Sequence, residues 1–239
     1  MFVAGMQAET QMKSQLREDS FSGAITSTFN LRYLTHLPPG YDDGSGRKWP
    51  VLLFLHGAGE RGNDLDLVTV HGPLKQVKAG TNFPFIIVAP QCPADERWSV
   101  EPLAQLLDRV IAQHAVDTNR IYLTGISMGG YGTWALGLRH AERFAAMAPV
   151  CGGGNIIDAV LGSPGHVEAV RRLPVWAFHG AKDPVVPLSE SERMIGALQT
   201  RAGNLNAKLT VYPEAEHDSW SETYANPALY EWFLKQRRE

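Results

Sequence analysis

One hydroxyl stands out as a candidate nucleophile. Ser127 sits between Gly125 and Gly129 in "TGISMGGYGTW" (124–134), directly after the apolar run Ile121-Tyr122-Leu123. Glycine weakens strands and helices alike, so this cluster needs a local reason. A strand before and a helix after make Gly-x-Ser-x-Gly the sharp turn that strains a serine backbone and exposes its hydroxyl. Side chains at 125 and 129 would collide with the neighbouring strand and helix. Gly130 and Gly132 let that helix pack close. The pattern is weak alone and specific in this context.

A serine hydroxyl is a poor nucleophile until a base takes its proton. After such a turn the partners are expected in the order acid, then histidine. Asp183, in "HGAKDPVVP", follows the apolar run 173–179 in a turn bounded by Pro184 and Pro187. Aspartate before proline is common in turns; its place after a buried strand is what singles it out. His217, in "YPEAEHDSW", is the one of eight histidines in the loop after the last apolar run. Glu214, Glu216 and Asp218 are too local to serve as the distant orienting acid. His56 and His179 each precede a glycine at a strand end, where they should support the turns. A developing oxyanion needs N–H donors. Met128 supplies one and Ala58, in "HGAGERGND", the other, with Gly57 and Gly59 permitting close backbone approach. Trp98, Trp220, Tyr131 and Gly57 are the expected substrate pocket. Glu60 and Arg61 are expected to brace the oxyanion loop as an ion pair.

These residues need a frame that brings them together. "PVLLFLHG" (50–57) and "FPFIIVAPQ" (83–91) are continuous apolar runs, as in strands buried on both faces. Further strands are expected at 119–125, 144–154 and 173–183, a last strand plus a loop at 207–218, and two antiparallel opening strands within 25–38. Helices are expected at 100–114, 128–140, 189–201 (Ser189 as N-cap) and 219–236, the last interrupted near Pro227. Alternating strand and helix predicts an α/β fold with a mostly parallel sheet of about eight strands and helices on both faces. Sites in such sheets lie beyond the carboxyl ends of the strands, where all the candidates fall. Only residues 151–172 separate two of the strands, with one short helix near 166–173, too little for a large cap domain.

The 239 residues suit a single domain over 1–239, with 1–20 a poorly ordered extension. A net charge of -3 carries no basic excess for nucleic acid or an anionic membrane. No run approaches a membrane span. The start lacks a leader pattern, which predicts a cytoplasmic protein, with a secreted form lacking a removed leader left open. Cys92 and Cys151 form no disulfide framework or metal spacing and read as free, buried thiols. The oligomeric state, monomer or homodimer, stays open.

Together these residues resemble the α/β-hydrolase superfamily, and more narrowly its phospholipase/carboxylesterase and polyhydroxybutyrate-depolymerase-like esterase branch. The matching pieces are "LFLHGAGERG", "APQCP" followed by Trp98, "GISMGGYGTW", "FHGAKDPVVP", and "HDSW" with "NPALYEWFL". The resemblance implies a serine carboxylic-ester hydrolase without metal or cofactor, with Ser127, Asp183 and His217 as triad and Ala58 and Met128 as oxyanion donors. It implies a small-molecule ester substrate; short-chain or aromatic acyl esters are favoured. A serine peptidase or acyl thioesterase would use the same triad. A non-catalytic binding module is a third alternative, which the intact constellation argues against.

Overall fold

The computed structural model describes residues 17–24, 26, 28–41 and 45–238. Among the described residues there are seven strands: β1 Tyr33–His36, β2 Trp49–Leu55, β3 Ile86–Pro90, β4 Val116–Ile126, β5 Ala146–Val150, β6 Val175–Gly180 and β7 Ala207–Tyr212. They form one sheet in the order β1-β3-β2-β4-β5-β6-β7. Only β1 is antiparallel to its neighbour, β3; the other pairings are parallel. Every residue of β2, β3 and β5 is buried. This is why those segments read as unbroken apolar runs rather than alternating ones.

Eight α-helices connect and cover the strands: α1 Gly72–Lys78, α2 Val100–Gln113, α3 Met128–Arg139, α4 Ile156–Val160, α5 Pro164–Arg172, α6 Ser189–Thr200, α7 Trp220–Ala225 and α8 Pro227–Lys235. Helices α2 to α6 pack on one face around Leu103, Trp134, Val170 and Met194. Helices α1, α7 and α8 cover the other around Leu74, Tyr224 and Phe233. The hydrophobic effect therefore fixes the sheet from both sides. Among the described residues no helix is long and apolar enough to cross a membrane.

Three expectations need correction. The sheet has seven strands rather than about eight, because the first of the two opening strands is absent among the described residues. The described positions from 21 to 30 are all exposed, Phe21 included, so no face of that segment has a surface to bury against. Ser189 does not cap α6: it is already helical, and Leu188 before it has helical backbone angles. The segment 151–172 holds two short helices, α4 and α5, where one was expected. The closing helix is interrupted as expected: Asn226 caps α8 through its Oδ1 and Pro227 occupies the first turn. Most of the 1–20 extension lies outside the described residues; 17–20 are exposed and irregular.

Candidate active site

Strand β4 lies near the middle of the sheet, with β2 and β5 on either side. Ser127 is the residue between β4 and α3, and its φ of 52° lies in the left-handed region that non-glycine residues avoid. The surroundings over-determine this strained geometry. Its N–H donates to Val150 O on β5 at 3.0 Å, and its carbonyl accepts from Tyr131 N–H in α3. The flanking glycines are required by contact. A Cβ at 125 would stand 2.7 Å from Leu55 O, and one at 129 would stand 2.6 Å from His56 O. Both obstacles are backbone and cannot swing aside.

The three distant side chains meet. His217 Nε2 lies 3.0 Å from Ser127 Oγ, and His217 Nδ1 lies 2.7 Å from Asp183 Oδ2. The carboxylate can only accept from Nδ1–H. This leaves Nε2 free to accept from the serine hydroxyl. The Asp183 side chain is fully buried, and its Oδ1 accepts from the N–H groups of Val185 and Val186 at 2.8 and 2.9 Å. Burial pushes the carboxyl pKa up, and the hydrogen bonds from His217, Val186 and Val185 more than offset it. Its pKa therefore lies below the ordinary carboxylate value.

Ala58 opens a 3-10 turn (Ala58–Glu60) after β2, and Met128 opens α3. The first N–H of a helical turn has no acceptor within it, so both groups are available to a ligand oxygen. Beneath the turn His56 is wholly buried. Its Nδ1–H donates to Gly57 O at 2.6 Å and its Nε2 accepts from Cys92 N–H at 2.9 Å. Burial lowers its pKa to about 4, which keeps it neutral near pH 7. His179, near the carboxyl end of β6, is likewise buried: its Nε2–H donates to Val186 O at 2.9 Å, and Nε2 lies 3.3 Å from Asp183 Oδ2. The expected Glu60–Arg61 ion pair does not form. Arg61 Nε donates to Ala58 O at 2.9 Å, while Glu60 faces His56 and His71. Carbonyl bracing by Arg61 replaces the pair.

A cavity of about 510 Å³ opens beside Ser127. Trp98, Met128 and Tyr131 wall it, with Arg97, Asn155 and Asp158 also in its lining. The Trp98 indole is fixed by its N–H to His56 O at 3.0 Å. Gly57 and Trp220, expected in this pocket, are not part of that lining. Trp220 instead packs on His217, ring centroids 5.2 Å apart and planes at 88°. The polar lining from Arg97, Asn155 and Asp158 escaped sequence reasoning, because no spacing links 97 to 155–158. Cys92 and Cys151 are free and buried. Cys151 Sγ lies within 4.8 Å of ligand atoms of Asp183 and His217, the one such donor cluster among the described residues. Burial pushes its thiol pKa up to about 12.

A sequence model described as "Phospholipase/Carboxylesterase" matches residues 83–226. The chain belongs to the phospholipase/carboxylesterase family. This is a family of serine-type esterases with the α/β-hydrolase fold. A solved structure described as a thermostable esterase is 31% identical, with a TM-score of 0.67 over 87% of this chain and 60% of that one. A bifunctional acetylxylan esterase/xylanase from Neocallimastix patriciarum is 28% identical over 77% of this chain, which spans 26% of that relative's length. A poly(3-hydroxyalkanoate) depolymerase from Paucimonas lemoignei is 26% identical over 54% of this chain and 33% of its own length. The chain thus spans well under half the length of either of these two curated relatives.

Proposed function

We propose that this phospholipase/carboxylesterase-family chain hydrolyses carboxylic esters through an acyl-enzyme on Ser127. The observation that carries the reading is the continuous line Ser127 Oγ, His217 Nε2, His217 Nδ1, Asp183 Oδ2, with links of 3.0 and 2.7 Å. Ser127 Oγ attacks the ester carbonyl while His217 takes its proton. Asp183 holds the imidazole in the tautomer that leaves Nε2 unprotonated and stabilises the cation that forms. The N–H groups of Ala58 and Met128 receive the oxyanion. His217 then returns the proton to the leaving alkoxide. Water, deprotonated by the same imidazole, releases the acid.

The substrates we assign are small esters with a short or aromatic acyl group. The cavity beside Ser127 is of the size that holds small ligands, and aromatic side chains form part of its wall. The acetylxylan esterase/xylanase relative bears a short acyl group in its name, which supports the same reading. A panel of nitrophenyl esters graded in acyl length and aromaticity, with Ser127→Ala as blank, tests both parts. The reading expects Ser127-dependent turnover that peaks at two to four carbons or at a cinnamoyl-type acid. An optimum at long fatty acyl chains would overturn the substrate class, and turnover surviving in Ser127→Ala would overturn the chemistry.

A further inference from the structure

Three side chains behind the catalytic histidine serve neither the triad nor the cavity wall. Trp220, the first residue of α7, lies three positions after His217 and packs edge-to-face on its ring. Its indole nitrogen lies 3.2 Å from Nδ1 of His71, the residue before α1. An indole N–H can only donate, so His71 Nδ1 is the acceptor and the ring carries its hydrogen on Nε2. That nitrogen faces Glu60 Oε1 at 3.8 Å, beyond hydrogen-bond distance. Glu60 belongs to the 3-10 turn that begins with the oxyanion donor Ala58.

The other Glu60 oxygen, Oε2, is buried without a hydrogen-bond partner. It lies 3.9 Å from His56 Nδ1, whose N–H already donates to Gly57 O. A buried carboxylate with an unsatisfied oxygen is costly, and His71 Nε2 stands 3.8 Å from the neighbouring Oε1. The indole therefore polarises His71 toward Glu60, while the other face of the arrangement rests on His217. Two segments that meet only in the folded chain, the turn with the oxyanion donor and the loop with the general base, are joined this way.

We propose that Glu60, His71 and Trp220 form a positioning strut that sets the catalytic imidazole relative to the oxyanion turn. The inference rests on the proposed serine-esterase reading. The three residues do not line the cavity beside Ser127, so the strut governs turnover and leaves substrate binding alone. Small misplacements of catalytic groups are expensive in rate. His71→Ala should therefore lower kcat by between about tenfold and about a hundredfold, with KM within about twofold of wild type. His71→Asn, whose side-chain oxygen can accept from the indole but which has no group in place of Nε2–H, should restore only part of the lost kcat. Trp220→Phe keeps a ring on His217 but removes the N–H. Its effect should not add to that of His71→Ala, as expected for residues acting as one unit.

The test measures kcat and KM of these variants, and of the Trp220→Phe/His71→Ala double variant, on the best nitrophenyl ester. The rate at which a fluorophosphonate labels Ser127 is measured in parallel. A kcat loss with KM held, recovery in His71→Asn and non-additivity support the strut. Wild-type kcat in His71→Ala, a loss seen only in KM, or no recovery in His71→Asn overturns it. Should His71→Ala fail to fold, Trp220→Phe decides alone: reduced kcat at unchanged KM supports the strut, and wild-type kcat overturns it. Should the wild type hydrolyse no ester, the esterase reading fails by itself, and the labelling rates of the same variants still decide the strut.

Discussion

The carboxylate of Asp183 and the imidazole of His217 stand 2.7 Å apart although 34 positions separate them in the chain. The parallel pairing of β6 with β7 explains the meeting. Gly180 and Tyr212 are register partners near the carboxyl ends of these two strands, so the loops that follow start side by side. The backbone hydrogen bonds from Val185 and Val186 then aim the carboxylate.

Asp183→Asn should reverse that tautomer. The oxygen held by Val185 and Val186 keeps its place, which turns the new amide NH₂ toward His217 Nδ1. His217 then carries its hydrogen on Nε2 and cannot accept from Ser127. Turnover of a nitrophenyl ester should fall by about 10³- to 10⁴-fold, with a melting temperature close to wild type. An activity loss of less than about tenfold, measured by steady-state kinetics, would remove Asp183 from the proposed mechanism.

Gly129→Ala should damage both fold and rate. The added Cβ meets the Leu55 and His56 backbone, and overpacking against backbone costs about 1–3 kcal/mol or more. Thermal unfolding should shift down by several degrees. The same displacement moves Met128 N–H, so the surviving folded enzyme should also turn over more slowly. Unchanged stability and rate would show that the turn is looser than these distances imply.

His56 makes stability depend on pH with a defined sign. Its folded pKa of about 4 lies below the ordinary histidine value of 6.5. Between these values the unfolded chain binds the extra proton and the folded chain does not. Stability from neutral His56 is thus fully present above about pH 6.5 and is lost as pH falls toward 4, by on the order of 3 kcal/mol in all. His56→Gln keeps an acceptor for Cys92 N–H and removes the titration. The stability gap between wild type and His56→Gln, read from urea unfolding, should narrow across that window. A gap independent of pH would exclude His56 as the titrating group.

The sequence foretold the triad geometry better than its surroundings. Ser127 and Asp183 follow largely buried strands and His217 follows the edge strand β7; in a parallel sheet the carboxyl ends of neighbouring strands lie side by side, so chain order implied spatial proximity. The sequence alternates over 25–30 as a strand would, yet the described residues 26 and 28–30 are exposed and irregular, and alternation alone could not reveal that. Trp220 illustrates the same limit: its aromatic character suggested a pocket wall, while its partner His71 lies 149 positions away. Side-chain pairs of that kind leave no spacing signal in one sequence. Arg61 and Glu60 are adjacent and opposite in charge, yet the tight turn sends them to different partners.

The most direct test of the central claim is mass spectrometry of the fluorophosphonate-treated protein alongside its residual activity on a nitrophenyl ester. A single adduct on Ser127 that grows in step with the loss of ester hydrolysis is predicted, with no adduct formed in Ser127→Ala. Full activity in a protein whose Ser127 is completely modified, or complete inactivation with the adduct on another residue, would contradict the assignment of Ser127 as nucleophile.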